Sequence, residues 1–325
     1  MKFDRILFPV DFSEDNRALA RQVTWLANRF DSRVTLLNVS ETTNPCYTAA
    51  EAYYDWGTYT ALTDRAKDQL HEFPIDLPKE RVERTVVEGQ AAYQIVSWAN
   101  EHKTDLIVMG THHCGTFRGL LLGSVAAEVV HDVSCPVWVY STLHHPMDTQ
   151  SPAVRTIICA VELTREALPL LRFTSELAKK LGAKVIVVHS VSESEIRPNK
   201  YFDMDLHESL MHEARMDILK LQLTLETDYP VQVTREGISK TITDVAREQH
   251  ADLAIIGRGK CRQMLGSLRT HTYEIIRETQ CPVLSYTCTS TEEERVPSPA
   301  EHGYEELTGR SLRLPTQGLK SNCQQ

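Results

Sequence analysis

An internal repeat constrains this chain more than any other feature: residues near 1–140 lie over residues near 152–287 with little drift in register. Arg5-Ile6-Leu7-Phe8-Pro9-Val10 matches Arg155-Thr156-Ile157-Ile158-Cys159-Ala160-Val161 in character. The runs from Val34 to Val39 and from Val185 to Val191 are short, β-branched and almost wholly apolar, as strands covered on both faces must be. Between these runs, Arg17 to Phe30 and Glu166 to Leu181 carry apolar residues at three- and four-residue spacing over one helix length, and Gly182 reads as a helix stop. Further on, Glu88-Gly89 and Glu236-Gly237 each open another helix, which leads into Asp105 to Gly110 or Asp252 to Gly257.

Each copy therefore reads β-α-β-α-β-α-β-α-β. Alternating elements of this length wind into an open parallel sheet with helices on both faces, because the crossovers are right-handed. The expected fold class is α/β, as two tandem open parallel-sheet sandwiches, and a length of 325 residues suits two domains. The boundaries read as 1–143 and 152–288, joined by a polar linker with Pro146 and Pro152. Two stretches, 44–73 and 198–229, interrupt the copies and read as an irregular arm plus one helix each. Residues 289–325 are rich in Ser, Thr, Glu, Pro and Gly, and are expected to be a disordered tail.

A formal charge of −9 argues against a nucleic-acid partner, since duplex binding draws its affinity from cations neutralising phosphates. No apolar run approaches the roughly 20 residues of a spanning helix, and Asp4 and Asp11 stand where a signal peptide needs an apolar core. The expected location is the cytoplasm, with no membrane association. Eight cysteines without a C-x-x-C pair suit reduced thiols, and Cys135 and Cys281, each before a proline, read as packing residues. Trp25, Trp56, Trp98 and Trp138 fall within apolar patterns and read as core.

Ligands of a parallel α/β sheet bind beyond the carboxyl ends of the strands, which directs attention to the residues after each apolar run. In the first copy these are Asp11 and Ser13, then Val39, then the long turn from Gly110 to Val125. Gly110 permits a sharp turn, and Gly123-Ser124 opens a helix whose first amides attract an anion. Asp11 can accept from a ribose hydroxyl or an adenine amino group, and the backbone at Val39 can present an edge to a base.

With these residues the chain resembles the universal stress proteins. Nucleotide-binding members carry Gly-x2-Gly-x9-Gly-Ser/Thr, and here the turn is Gly110-x2-His113-x9-Gly123-Ser124, with the spacing intact and the second glycine replaced. The family's leading Pro-x-Asp-x-Ser segment is Pro9-Val10-Asp11-Phe12-Ser13. The resemblance spans nearly all of residues 1–288 and implies a Rossmann-like, adenine nucleotide alpha hydrolase-like sheet. It further implies that Pro9, Asp11 and Val39 line an adenine and ribose pocket. Gly110, Thr111, His112, His113, Gly123, Ser124 and Val125 would then hold ribose and phosphates. The implied ligand is ATP or another adenine nucleotide, with Mg2+ arriving alongside it, and the implied role is stress response and survival.

His113 puts a side chain where the family lets backbone approach phosphate, so the imidazole either donates to the phosphate or closes the pocket. The second copy departs further. Glu162 replaces Asp11, and Gly266-Ser267 follows Gly257 by nine residues, where thirteen separate Gly110 from Gly123. Its Arg258, Lys260, Arg262 and Arg269 concentrate positive charge near a helix start and read as a solvated basic loop, with binding of a different anion as the alternative. No catalytic or metal-ligating set is expected, since the chain lacks G-x-S-x-G, H-E-x-x-H and a phosphate-loop lysine. A tandem adaptor that engages protein partners without a nucleotide is the alternative, and a nucleotide-hydrolysing or nucleotidyl-transfer enzyme ranks behind it. By the same resemblance the copies should pair within the chain through their last strands, near Val137-Trp138-Val139 and Val283-Leu284-Ser285, and a homodimer is a further partner.

Overall fold

Strict alternation along each apolar run divides the core into two layers. In the first strand, β1 (Arg5–Pro9), Ile6 and Phe8 are buried on one face and Leu7 on the other. The computed structural model describes residues 1–40, 56–111, 123–141, 153–191, 203–258 and 267–287. The interrupting arms at 44–55 and 198–202, the linker at 144–152 and the tail at 289–325 lie outside them.

The first copy continues with α1 (Glu14–Phe30), β2 (Arg33–Ser40), α2 (Trp56–Glu72), β3 (Val82–Glu88), α3 (Ala91–Glu101), β4 (Leu106–Thr111), α4 (Ser124–Asp132) and β5 (Val137–Ser141). The second repeats the order as β6 (Thr156–Ala160), α5 (Ala167–Leu181), β7 (Lys184–Ser190), α6 (Asp203–Thr224), β8 (Val231–Thr234), α7 (Ile238–Glu248), β9 (Leu253–Arg258), α8 (Ser267–Glu278) and β10 (Val283–Thr287). The helices expected within the two interruptions are α2 and α6.

Local chemistry accounts for the helix ends. Ser13 caps α1 by accepting from the Asn16 amide, and Glu14 and Asp15 place negative charge in its first turn. At the far end of α5, Gly182 adopts φ 73°, a left-handed conformation that suits glycine and ends the helix where the sequence predicts.

The strands form one ten-stranded sheet in the order β3-β2-β1-β4-β5-β10-β9-β6-β7-β8. Helices α1, α2, α5 and α6 cover one face with residues such as Leu19, Leu70, Leu171 and Ile218. Helices α3, α4, α7 and α8 cover the other with Ile95, Val129, Ile242 and Ile276. Each half is parallel, and among the described residues the single antiparallel pairing is β5 with β10, in the register Val139 to Val283, Trp138 to Leu284 and Val137 to Ser285. This is the junction the sequence predicts, and each half removes the other's exposed edge. Trp138 and Leu284 are fully buried there. Trp25 and Trp98 pack at the margins of the core, and the Trp56 side chain lies outside the described residues. Among the described residues no helix is long and apolar enough to cross a membrane.

Candidate functional site

The strand order reverses direction between β1 and β4, because the chain runs outward from β1 through β2 to β3 and inward from β4 to β5. A crevice opens at such a point beyond the carboxyl ends of the two strands. Pro9 ends β1, Gly110 and Thr111 end β4, and Gly123, Ser124 and Val125 start α4, so these sequence-predicted residues cluster at one end of the first half. Val39 joins them from β2. The Val10 amide donates to the Leu37 carbonyl at 2.8 Å, and Asn38 Nδ2 donates to the Val10 carbonyl at 2.8 Å, which brings the chain into Asp11 alongside Asn38 and Val39.

The turn after β1 is shaped around Asp11. Its Oδ1 accepts from the Ser13 amide at 3.0 Å, from Ser13 Oγ at 2.8 Å, and from Asn16 Nδ2. Phe12 between them has φ 65°, a left-handed conformation that is rare for an aromatic residue and costs of order 1 kcal/mol. Packing of the Phe12 ring against the core offsets that cost. The carboxylate is thereby held at the sheet mouth rather than left to swing.

At α4 the helix is entered through Gly123, with φ −54° and ψ 137°, whose carbonyl accepts from the Ala127 amide at 3.0 Å. Glycine offers no side chain to cap the first amides, unlike Ser13 on α1. Ser124 is exposed and Val125 packs on the core, which fixes the rotation of that first turn. Gly110 and Thr111 pair with Tyr140 and Ser141, and Thr111 is buried. His112 and His113 lie outside the described residues.

The second half repeats the framework with altered chemistry. His189 replaces Asn38, and its Nδ1 lies 2.7 Å from the Val161 carbonyl. A carbonyl only accepts, so Nδ1 carries the proton. A cleft of about 590 Å3, its open mouth included, lies between the ends of β6 and β9. Its walls are mainly apolar, with Val161, Leu170, Ile242, Ile256 and Tyr286, and Glu162 stands at its edge.

Arg258 overturns the expectation of a solvated basic loop. Its guanidinium reaches into the first half and donates to the carbonyls at the end of α4: Val130 and Val133 from Nη1, the latter at 3.2 Å, and Cys135 from Nη2 at 2.9 Å. Burial pushes its pKa down to about 10, still far above neutrality, so the group remains a cation against the negative end of the helix. Tyr273 of α8 adds a second contact, from its hydroxyl to the Ala127 carbonyl at 3.2 Å. Sequence reasoning missed both, because neither partner lies near in the chain. Lys260 and Arg262 lie outside the described residues, as does the Arg269 side chain. Among the described residues no cluster of three or more His, Cys, Asp and Glu side chains is placed to hold a metal ion.

A model of the universal stress protein family matches residues 2–141 and 153–286. A universal stress protein of Synechocystis is 33% identical over 138 residues, which cover 42% of this chain and 85% of that protein. One of Methanocaldococcus jannaschii is 29% identical over 143 residues, covering 42% of this chain and 81% of its own length. Among solved structures, a universal stress protein from Archaeoglobus fulgidus shares 18% identity at a TM-score of 0.60, covering 89% of this chain and 98% of that one.

Proposed function

This chain belongs to the universal stress protein family, and we propose that its N-terminal copy, residues 1–143, binds ATP or a related adenine nucleotide, with Mg2+ accompanying the phosphates. The observation that carries this reading is the start of α4 at Gly123, which among the described residues has no side-chain cap, set beside the crevice between β1 and β4. Amides without internal partners and the positive end of the helix dipole suit phosphate oxygens there.

A helix terminus contributes only about 0.3–2 kcal/mol to holding an anion, so the rest of the ligand must supply most of the affinity. In this reading Pro9, Asp11 and Val39 take the adenine and ribose. Gly110 and Thr111 border the ribose, and Ser124, Val125, His112 and His113 reach the phosphates. The pre-set Asp11 carboxylate supports that assignment, since its orientation is fixed before any ligand arrives. The second copy, residues 152–288, serves structure, and its changed strand end at Arg258 supports that division. The protein acts in the cytoplasm as a nucleotide-responsive member of a stress response.

The test is to purify the protein, release any bound small molecule with acid and identify it, then repeat with Gly123→Val. Adenine nucleotide with the wild type and none with the variant is the expected outcome. If the wild type carries none and added ATP does not raise its melting temperature, the reading fails in favour of an adaptor without a nucleotide.

A further inference from the structure

The second copy holds the helix on which the proposed phosphate contacts stand. Helix α4 is short, from Ser124 to Asp132, and residues of the other half grip it at two levels. Tyr273 takes the Ala127 carbonyl near its start, and Arg258 takes the carbonyls of Val130, Val133 and Cys135 at and beyond its end. Arg258 occupies the strand position after Gly257 that Thr111 occupies after Gly110, so the two copies have put one structural position to different uses.

We infer that Arg258 and Tyr273 are positioning residues for the nucleotide site of the first copy. They fix the height and tilt of α4 so that the amides of Ser124 and Val125 face the crevice. The inference rests on the nucleotide reading given above. Its physical basis is that a guanidinium has planar donors of fixed geometry, and three carbonyls meeting one such group leave the helix end little freedom to slide.

The experiment compares ATP with adenosine by calorimetry in the full chain, for the wild type, Arg258→Met, Arg258→Lys and Tyr273→Phe, at a temperature at which each is folded. Only ATP reaches the α4 amides, so Arg258→Met should weaken ATP by about tenfold while leaving adenosine unchanged. Arg258→Lys keeps the charge without the planar donors and should fall between, as should Tyr273→Phe, which removes a single hydroxyl. A purely structural role would not alter the ratio of ATP to adenosine affinity. Folded variants that keep the wild-type ratio overturn the positioning role and leave the nucleotide reading standing. A wild type that binds neither compound overturns both. Should Arg258→Met fail to fold, the two milder variants decide the matter by the same ratio.

Discussion

The side-chain amide of Asn38 donates to the carbonyl of Val10 at 2.8 Å, and His189 repeats that contact on Val161 in the other half. In both halves a buried polar residue of the second strand therefore ties down the backbone just before the acidic residue at the sheet mouth. The pair sits where the ladder ends and the Val10 carbonyl would otherwise lose its partner.

Asn38→Leu should strand that carbonyl in the core and cost about 1–3 kcal/mol of stability, measured by urea unfolding. It should also weaken adenosine binding, because Asp11 follows Val10 directly. Unchanged stability would mean that the carbonyl finds another partner.

Trp138 faces Leu284 across the junction of the halves, and all four tryptophans lie in the first half. Leu284→Ala removes a fully buried side chain and should cost about 2–5 kcal/mol. The loss should appear in unfolding followed by tryptophan fluorescence, although the substitution is in the second half. Fluorescence that reports an unaltered transition would show that the halves unfold independently.

Burial pushes the thiols of Cys159 and Cys281 up to about 12, from an ordinary value near 9. The folded state therefore prefers the protonated thiol. Their stabilising contribution is complete below pH 9 and is lost as pH rises through the window from 9 to 12. Each thiol should steepen the fall of stability by up to about 1.4 kcal/mol per pH unit in that window. Chemical unfolding at pH 8 and pH 10.5, with Cys159→Ala and Cys281→Ala as references, reads the slope. Rapid alkylation of either thiol in the native state at pH 8 would contradict the burial.

Much of the fold was legible because it is written in short-range pattern. Apolar runs such as Ile6 to Phe8 gave the strands and their repetition gave two copies, whereas the junction at Trp138 and Leu284 was expected from the resemblance to the universal stress proteins rather than from the pattern itself. The grouping of Asp11, Val39, Gly110 and Gly123 followed from the rule that strand ends carry sites, and Pro9 was added by the family resemblance. What escaped depends on partners distant in the chain. Arg258 resembled a loop cation because Lys260 and Arg262 follow it, yet its environment is set by carbonyls more than a hundred residues earlier. The left-handed backbone at Phe12 also left no local signal, since an aromatic residue rarely adopts it and only the Asp11 and Ser13 contacts together with ring packing stabilise it here.

The most direct measurement follows the backbone amide resonances of Ser124 and Val125 in protein labelled with nitrogen-15 on serine and valine, during titration with ATP and then with adenosine. Both amides should shift with ATP, saturating together, and should move little with adenosine. If ATP binds and leaves both resonances in place, the phosphates lie elsewhere and the start of α4 is not their seat.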